Sequence, residues 1–338
     1  MTDSPKEAGE GRLAKTWEAA AFDRVNNEWV HTNLRSYEHQ PQIDAEAFIR
    51  QAPPTVVRPS KRHRPETATE LIAFYGDTHH PVQDERKLAL ANRIVRDLMP
   101  QTVVYEGDDL DMALFSRFET RQEWAGSTQR GIDQFHSQLA ATRADIGSDA
   151  KIIVLEGNHN VRLERELRKY NGELLGLRRA NAANELGVLS LEFLLRCDEL
   201  GVEYVSGYPA AEYWLTPDLK TYHGYTTSSN KLVASKEIRS ETVNFVHGHS
   251  HQAGLVYRRF RDGKGDRTIF GMEVGTFADL SLTPSGKYSA TERGNVLQQT
   301  QNWHCALGLV TLHDEVIVPH LIPITDQGAI YNGKVYKS

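Results

Sequence analysis

The sequence predicts a layered α/β domain carrying a helical N-terminal extension, and three observations lead there. From Thr69 onward, short apolar runs of strand character alternate with helix-patterned stretches. Five of those runs stop at short polar motifs rich in Asp, His and Asn. Upstream, residues 11–50 carry apolar positions at helical spacing and are followed by a proline-rich stretch.

Residues 1–10 are polar and expected to lack order. Leu13, Trp17, Ala20, Ala21, Val25 and Trp29 then predict one helix, and Ile43 to Arg50 a second. Trp17 and Trp29 are expected to pack on the main domain or on another subunit, which makes the extension a candidate for self-association or a partner. Pro53-Pro54, Pro59 and Pro65 mark a linker that holds the basic cluster Arg58 to Arg64, so the division is 1–68 for extension and linker and 69–338 for the main domain.

In the main domain the expected strands are Leu71–Tyr75, Thr102–Tyr105, Lys151–Leu155, Leu219–Tyr222 and Val243–Val246, with helices over Asp84–Leu98 and Gln129–Asp145. The segment at about 160–200 exceeds a simple crossover and reads as a helical insert of two or more helices. Its first part sets Arg162, Arg165 and Lys169 on one face and Leu163, Leu167, Tyr170 and Leu174 on another. Later runs, Gly254–Phe260, Arg267–Val274, Ala306–Leu312 and Glu315–Leu321, are expected to complete a second sheet. Thr283–Gln301 is polar and expected to form a loop near the site.

The polar motifs are Asp77-Thr78-His79, Gly107-Asp108, Gly157-Asn158-His159, His223-Gly224 and Gly248-His249-Ser250-His251. Ligands at the carboxyl ends of neighbouring strands converge in space. Asp, Asn and His with no Cys among them form a hard-to-borderline donor set that suits Mn, Fe or Zn better than a thiolate zinc site. Two such ions about 3.5–4 Å apart need a shared anion, for which Asp108 is the best placed, and a hydroxide between them would be the nucleophile. The neutral amide oxygen of Asn158 leaves the cage positive enough to attract phosphate, so phosphoryl hydrolysis is the expected chemistry.

The ordered series Asp77-x-His79, Gly107-Asp108-x-x-Asp111, Gly157-Asn158-His159, His223-Gly224 and Gly248-His249-x-His251 resembles the calcineurin-like metallophosphoesterase superfamily. The resemblance implies a four-layer αββα sandwich of two mixed sheets with a dimetal site at one edge. It implies that Asp77, His79, Asp108 and His251 hold one metal, and that Asp108, Asn158, His223 and His249 hold the other, with Mn the expected ion. His159 would be the catalytic imidazole. The family usually has Asp or Glu where this chain has Asn160, which leaves the partner of His159 neutral. The charged insert and a late Trp-containing strand are similar to metallophosphoesterases often encoded by bacteriophages.

Arg162, Arg165 and His80 are candidates for substrate contact, and Asp111 for a carboxylate behind the ligands. His247 could equally point to the opposite face of its strand. A net charge of −6 and a sequence pI of about 6.2 argue against coating nucleic acid through bulk electrostatics. Two cysteines without metal-site spacing, no secretory signal and no apolar run of about 20 residues point to a cytoplasmic protein that does not enter the membrane. The expected substrate is a phosphate ester, with a phosphodiester of a nucleotide or nucleic acid ahead of a monoester on a small molecule or phosphoprotein. A metal-stabilised scaffold without catalysis is the competing class.

Overall fold

The computed structural model describes residues 13–23, 28–37, 69–116, 125–182, 185–228, 231–263, 265–279 and 302–337. The chain divides into two compact units, Met1–Val56 and Val57–Ser338. In the first unit β1 (Leu13–Asp23) and β2 (Glu28–Tyr37) pair antiparallel, with Trp17 opposite Leu34 and Phe22 opposite Trp29. This corrects the helix expected from Leu13 to Trp29. Thr16, Trp17, Phe22, Trp29, Val30, Thr32 and Tyr37 favour strands, and the intervening Asn26-Asn27 is turn-favouring sequence, so local composition prevails over a loose helical spacing. The second expected helix at Ile43–Arg50, the basic cluster at Arg58–Arg64 and the polar run Thr283–Gln301 lie outside the described residues.

The second unit opens with β3 (Glu70–Tyr75), α1 (Glu85–Leu98), β4 (Thr102–Tyr105), α2 (Ser127–Ile146) and β5 (Lys151–Leu155). The insert follows as α3 (Arg162–Tyr170) and two single-turn helices, α4 (Leu191–Leu194) and α5 (Cys197–Leu200). Next come β6 (Val202–Val205), β7 (Tyr213–Thr216), β8 (Leu219–Tyr222), α6 (Ala234–Glu237) and β9 (Asn244–His247). Strands β10 (Ala253–Asp262), β11 (Gly265–Val274), β12 (Ala306–His313), β13 (Val316–Pro323), β14 (Ala329–Tyr331) and β15 (Lys334–Tyr336) complete it.

Two mixed sheets result, a six-stranded one in the order β13-β12-β3-β4-β5-β6 and a five-stranded one in the order β10-β11-β9-β8-β7. Strands β3 to β6 run parallel, and β12 pairs antiparallel with β3. The late strands therefore split: β10 and β11 extend the second sheet as expected, whereas β12 and β13 join the first. Sequence order alone carries no information about which open edge a returning strand will take.

Alternation along β3 shows how the layers are cemented. Ile72 and Phe74 share a buried cluster with Val104, Ile153, Leu219, Val246, Phe270 and Met272, from both sheets. Ala73 and Tyr75 pack the other way, with Leu90, Ile94, Phe135 and Leu139 of α1 and α2. On the second sheet Phe245 and Ile269 pack with Ala234 and with Ile238, just past α6. Helix α1 begins where Asp84 accepts hydrogen bonds from the amides of Arg86 and Lys87, both at 3.1 Å, meeting two donors that the first turn leaves free.

The insert departs from expectation in one respect. No residue of α3 is buried: Leu163 packs against the core, but Tyr170 is 61% exposed and Leu174 37%. Its apolar stripe is therefore a surface feature. Among the described residues no helix is long and apolar enough to cross a membrane.

Phe74 is fully buried between the sheets. Phe74→Ala is expected to lower unfolding free energy by about 3–5 kcal/mol in urea titrations, a transfer loss plus a cavity. Asp84→Ala should cost only about 0.5–2 kcal/mol, the range for a lost N-cap. Equal losses would contradict this division between core and cap.

Candidate metal centre

Every motif follows a strand that ends at one edge of the two sheets. Asp77, Asp108 and Asn158 come just after the parallel strands β3, β4 and β5, and His223, His249 and His251 just after the parallel pair β8 and β9. The connecting loops are tied by backbone hydrogen bonds, from His79 N to Asp108 O at 3.0 Å and from His80 N to Asp109 O at 2.8 Å. Four of the expected ligands have left-handed backbone: His79 (φ 52°), Asp108 (52°), His249 (62°) and His251 (57°). Such strain on residues with a Cβ persists only where the surroundings impose it, and it gathers at functional sites. Two glycines make room for the carboxylates. A Cβ on Gly157 would lie 2.1 Å from Asp108 Oδ1, and one on Gly248 would lie 2.4 Å from Asp77 Oδ1.

The side chains gather in groups whose donor atoms lie within 4.8 Å of one another: Asp77 with His79 and His251, and Asp108 with His223 and His249. In the first, His79 Nε2 faces His251 Nε2 at 3.1 Å, and Asp77 Oδ2 lies 2.9 Å from His251 Nε2. In the second, His223 Nε2 is 3.3 Å from Asp108 Oδ2, 3.3 Å from His249 Nδ1 and 3.2 Å from Asn158 Oδ1. Asp77 Oδ2 is buried, and the ring it faces is that of His251. His223 donates its Nδ1 proton to Glu106 O at 2.7 Å, and His79 Nδ1 is 3.1 Å from Asp111 Oδ1. Both rings thus turn their Nε2 atoms toward their groups, the orientation a metal-binding imidazole takes from a second hydrogen bond. These clusters fit divalent cations.

Burial opposes the charge of Asp108, but His223 and then His159 hold its carboxyl well below the usual range. Asp77 behaves alike: burial resists its charge and His251 lowers its pKa. Burial works against protonation of His223, yet Asp108 beside it lifts the ring to about 9. His249 falls to about 4 through burial and the neighbouring His223. Behind them Glu106 is pushed by burial up to about 8, partly offset by the Thr221 hydroxyl, which donates to both its oxygens at 2.6 and 2.8 Å.

His159 sits at the edge of this assembly, its Nε2 3.8 Å from Asp108 Oδ2. Its Nδ1 lies 2.9 Å from Asp111 O and 3.3 Å from Asp111 Oδ1. The carboxylate at His159 is therefore Asp111. Asn160 is buried without a hydrogen bond to the ring, so the neutral partner expected from the Asn160 departure does not occur. Asp111 Oδ1 serves His79 as well as His159, and these hydrogen bonds keep its carboxyl ionised against the cost of burial.

Of the expected substrate contacts, Arg162 reaches the site. It donates from Nη2 to His159 Nε2 and from Nη1 to Asp111 O, both at 2.8 Å. The neighbouring pair Glu164–Arg168 forms as the i,i+4 spacing predicts. Arg165 lies 5.7 Å over Tyr208, whose ring packs edgewise on His223. His80 is not brought to the ligands: it is buried with its ring tilted against Phe135, and burial lowers its pKa to about 3. His247 likewise stacks on Tyr222 and Phe245.

Sequence reasoning missed Trp303, set edge-on to His251 with ring centroids 4.0 Å apart, and also Tyr208, Glu106 and Thr221. For Glu106 the signal was available, since it directly precedes Gly107-Asp108 at a strand end. Trp303 and Tyr208 carried none.

No protein-family model matches the chain. The Gene 54 protein of Mycobacterium phage D29 is 25% identical over 277 residues, covering 80% of this chain and 99% of that protein. The Gene 54 protein of Mycobacterium phage L5 is 23% identical over 278 residues, with the same coverage of 80% and 99%. Both relatives come from phages, in keeping with the resemblance to phage-encoded proteins. Among solved structures, that of Vacuolar Protein Sorting 29 from Cryptosporidium parvum matches 79% of this chain and 94% of its own at 12% identity. Its TM-score of 0.32 is too low to establish a common fold.

Proposed function

We propose that the protein is a calcineurin-like metallophosphoesterase, a four-layer αββα sandwich that hydrolyses a phosphodiester of a nucleotide or nucleic acid with two divalent ions, Mn in the first instance. The observation that carries this reading is the convergence of the Asp77–His79–His251 and Asp108–His223–His249 groups at one sheet edge, with His159 beside them. The packing of helices α1 and α2 on the first sheet, and of the α6 segment on the second, supports the layering.

Divalent ions there would supply an activated water and Lewis acidity toward phosphoryl oxygens. Asp77, His79 and His251 would hold one ion, Asn158, His223 and His249 the other, and Asp108 both. Asp111 keeps the His159 Nδ1 proton engaged, which directs Nε2 toward the leaving oxygen for protonation or a hydrogen bond. Arg162, already on Nε2 and Asp111 O, is placed to move onto a non-bridging phosphate oxygen. Arg165 over Tyr208 offers a cation and a ring beside the second group, which favours a nucleotide over a bare phosphate.

The direct experiment is turnover of a chromogenic diester and a chromogenic monoester by metal-free and Mn-loaded protein. Metal-dependent turnover, faster on the diester, is expected. A preference for the monoester would reassign the substrate, and inactivity on both would return the cage to a scaffold role.

Three variants test the assignments. Asp108→Ala is expected to lose both metals, because two close cations would lack a shared anion; elemental analysis showing two tightly bound equivalents would refute the bridge. His159→Gln should keep its metals while turnover drops by about 10²–10⁴-fold, least for esters with good leaving groups. A loss independent of leaving-group pKa would remove His159 from that role. Arg165→Glu should raise KM for an oligonucleotide and lower its salt slope by about one, leaving a small diester untouched. Arg162 is unsuited to that comparison, since its contact with His159 makes every substrate sensitive to it.

A further inference from the structure

Two aromatic rings from outside the ligand motifs stand against the cage, one on each group of donors. Tyr208 packs edgewise on His223 with ring centroids 5.7 Å apart, and Trp303 packs edgewise on His251 at 4.0 Å. His223 belongs to the group built on Asp108, and His251 to the group built on Asp77. Both aromatic rings are half-buried, so each keeps part of its surface open beside a ligand.

Polar bonds fix both positions. The Glu156 carboxylate, 6% exposed and directly before Gly157-Asn158, accepts the amides of Gly207 and Tyr208 on one oxygen at 2.8 and 3.0 Å. Hydrogen bonds to an ionised acceptor are about twice as strong as neutral ones, so the backbone under the Tyr208 ring is firmly held. Next to Trp303, His304 N donates to His251 O and Thr276 N donates to His304 O, both at 2.9 Å. That pair ties the Trp303 segment to the loop carrying the ligand. Arg165, by contrast, is free to move. Its side chain is exposed and lies 5.7 Å over the Tyr208 ring, near the outer reach of a cation–ring contact at about 6 Å.

We propose that Tyr208 and Trp303 each receive one of the two bases that flank the scissile phosphate, so that the substrate is an internal phosphodiester between unpaired bases. This rests on the phosphodiesterase reading above and specifies its substrate. Any base can stack on an aromatic ring, but only an unpaired one can be splayed from its neighbours to do so. A cyclic nucleotide carries a single base and would fill one ring only. A duplex keeps its bases stacked on one another, and a net charge of −6 gives it no bulk attraction. The entering base takes the place of Arg165 on Tyr208, and the guanidinium turns onto the next phosphate of a strand.

Cleavage of a dinucleoside monophosphate, and of the same compound made abasic on the 5′ or the 3′ side, by full-length Mn-loaded protein tests the proposal. Removing either base should lower kcat/KM by about five- to 100-fold, the range for one base–aromatic stack. Tyr208→Leu should abolish the penalty for one of the two bases and Trp303→Leu the penalty for the other. Each penalty is a ratio taken within one variant, so a general loss of activity cancels. Tyr208→Phe and Trp303→Phe, which keep a ring, should retain both penalties and stand in for a leucine variant that does not fold. A short single strand should be cut in preference to its duplex. Equal kcat/KM for intact and abasic compounds, loss of the same penalty in both leucine variants, survival of both penalties in both, or preference for the duplex would overturn the proposal while leaving the phosphodiesterase reading in place. So would turnover of bis(4-nitrophenyl) phosphate without turnover of the dinucleotide. Inactivity on both would overturn the phosphodiesterase reading itself, and the two base positions with it.

Discussion

Two buried carboxylates govern this structure. Asp77 and Asp108 are 0% and 1% exposed, and removing an ionised carboxylate from water costs several kcal/mol unless its oxygens are met. Each is met in the same manner. One oxygen accepts a backbone N–H from a different motif, His249 N to Asp77 at 3.0 Å and His159 N to Asp108 at 2.6 Å, and the other faces imidazoles. Gly157 and Gly248 follow from this, because a Cβ at either would occupy the space of a carboxylate oxygen. So do the left-handed conformations at His79, Asp108, His249 and His251, which turn amide and side chain toward the same small volume.

The same constraint holds the two sheets at one edge. Asp77 and Asp108 belong to the first sheet, whereas His223, His249 and His251 come from the second, so the carboxylates reach their imidazoles only if the strand ends stay together. Ties beneath the ligands enforce it. His223 donates to Glu106 O, Thr221 donates to the Glu106 side chain, and Thr276 Oγ1 donates to Asp77 O at 2.8 Å. Glu273 performs a comparable task within the second sheet, accepting from Ser250 Oγ and from Ala234 N and so fixing the loop that carries both His249 and His251. With the tautomers of His79 and His223 set by Asp111 and Glu106, no ring need reorient to receive a cation.

How much of this was legible depends on the range of the interaction that fixes it. Strands β3, β4, β5 and β8 declare themselves through local apolar runs, and the motifs after them through residue type, so both were readable from short windows. The N-terminal hairpin was not, because Leu13, Trp17 and Ala20 fit a helical face while Trp17 and Leu34 meet only across a pairing that spacing does not encode. The placement of β12 and β13 was unreadable for a related reason: an edge is chosen by three-dimensional packing. Trp303 and Tyr208 reach His251 and His223 from distant segments that hold no ligand, and nothing in their neighbours announces it.

Asp111 shows why a missing residue in a local motif need not mean a missing interaction. Position 160 holds an amide, yet His159 still meets a carboxylate, delivered from the loop after β4. That carboxylate is not dedicated to one ring. The same oxygen faces His79 Nδ1 at 3.1 Å and His159 Nδ1 at 3.3 Å, and the other oxygen is buried without a partner. Asp111 is thus shared by two imidazoles, one in the group that would hold a cation and one that would meet the leaving group. A cation held by His79 would strengthen the demand on Asp111 Oδ1 and so weaken what it gives to His159. In the proposed reaction Asp111 therefore couples the two rings, since what happens at His79 reaches His159 through a single carboxylate oxygen.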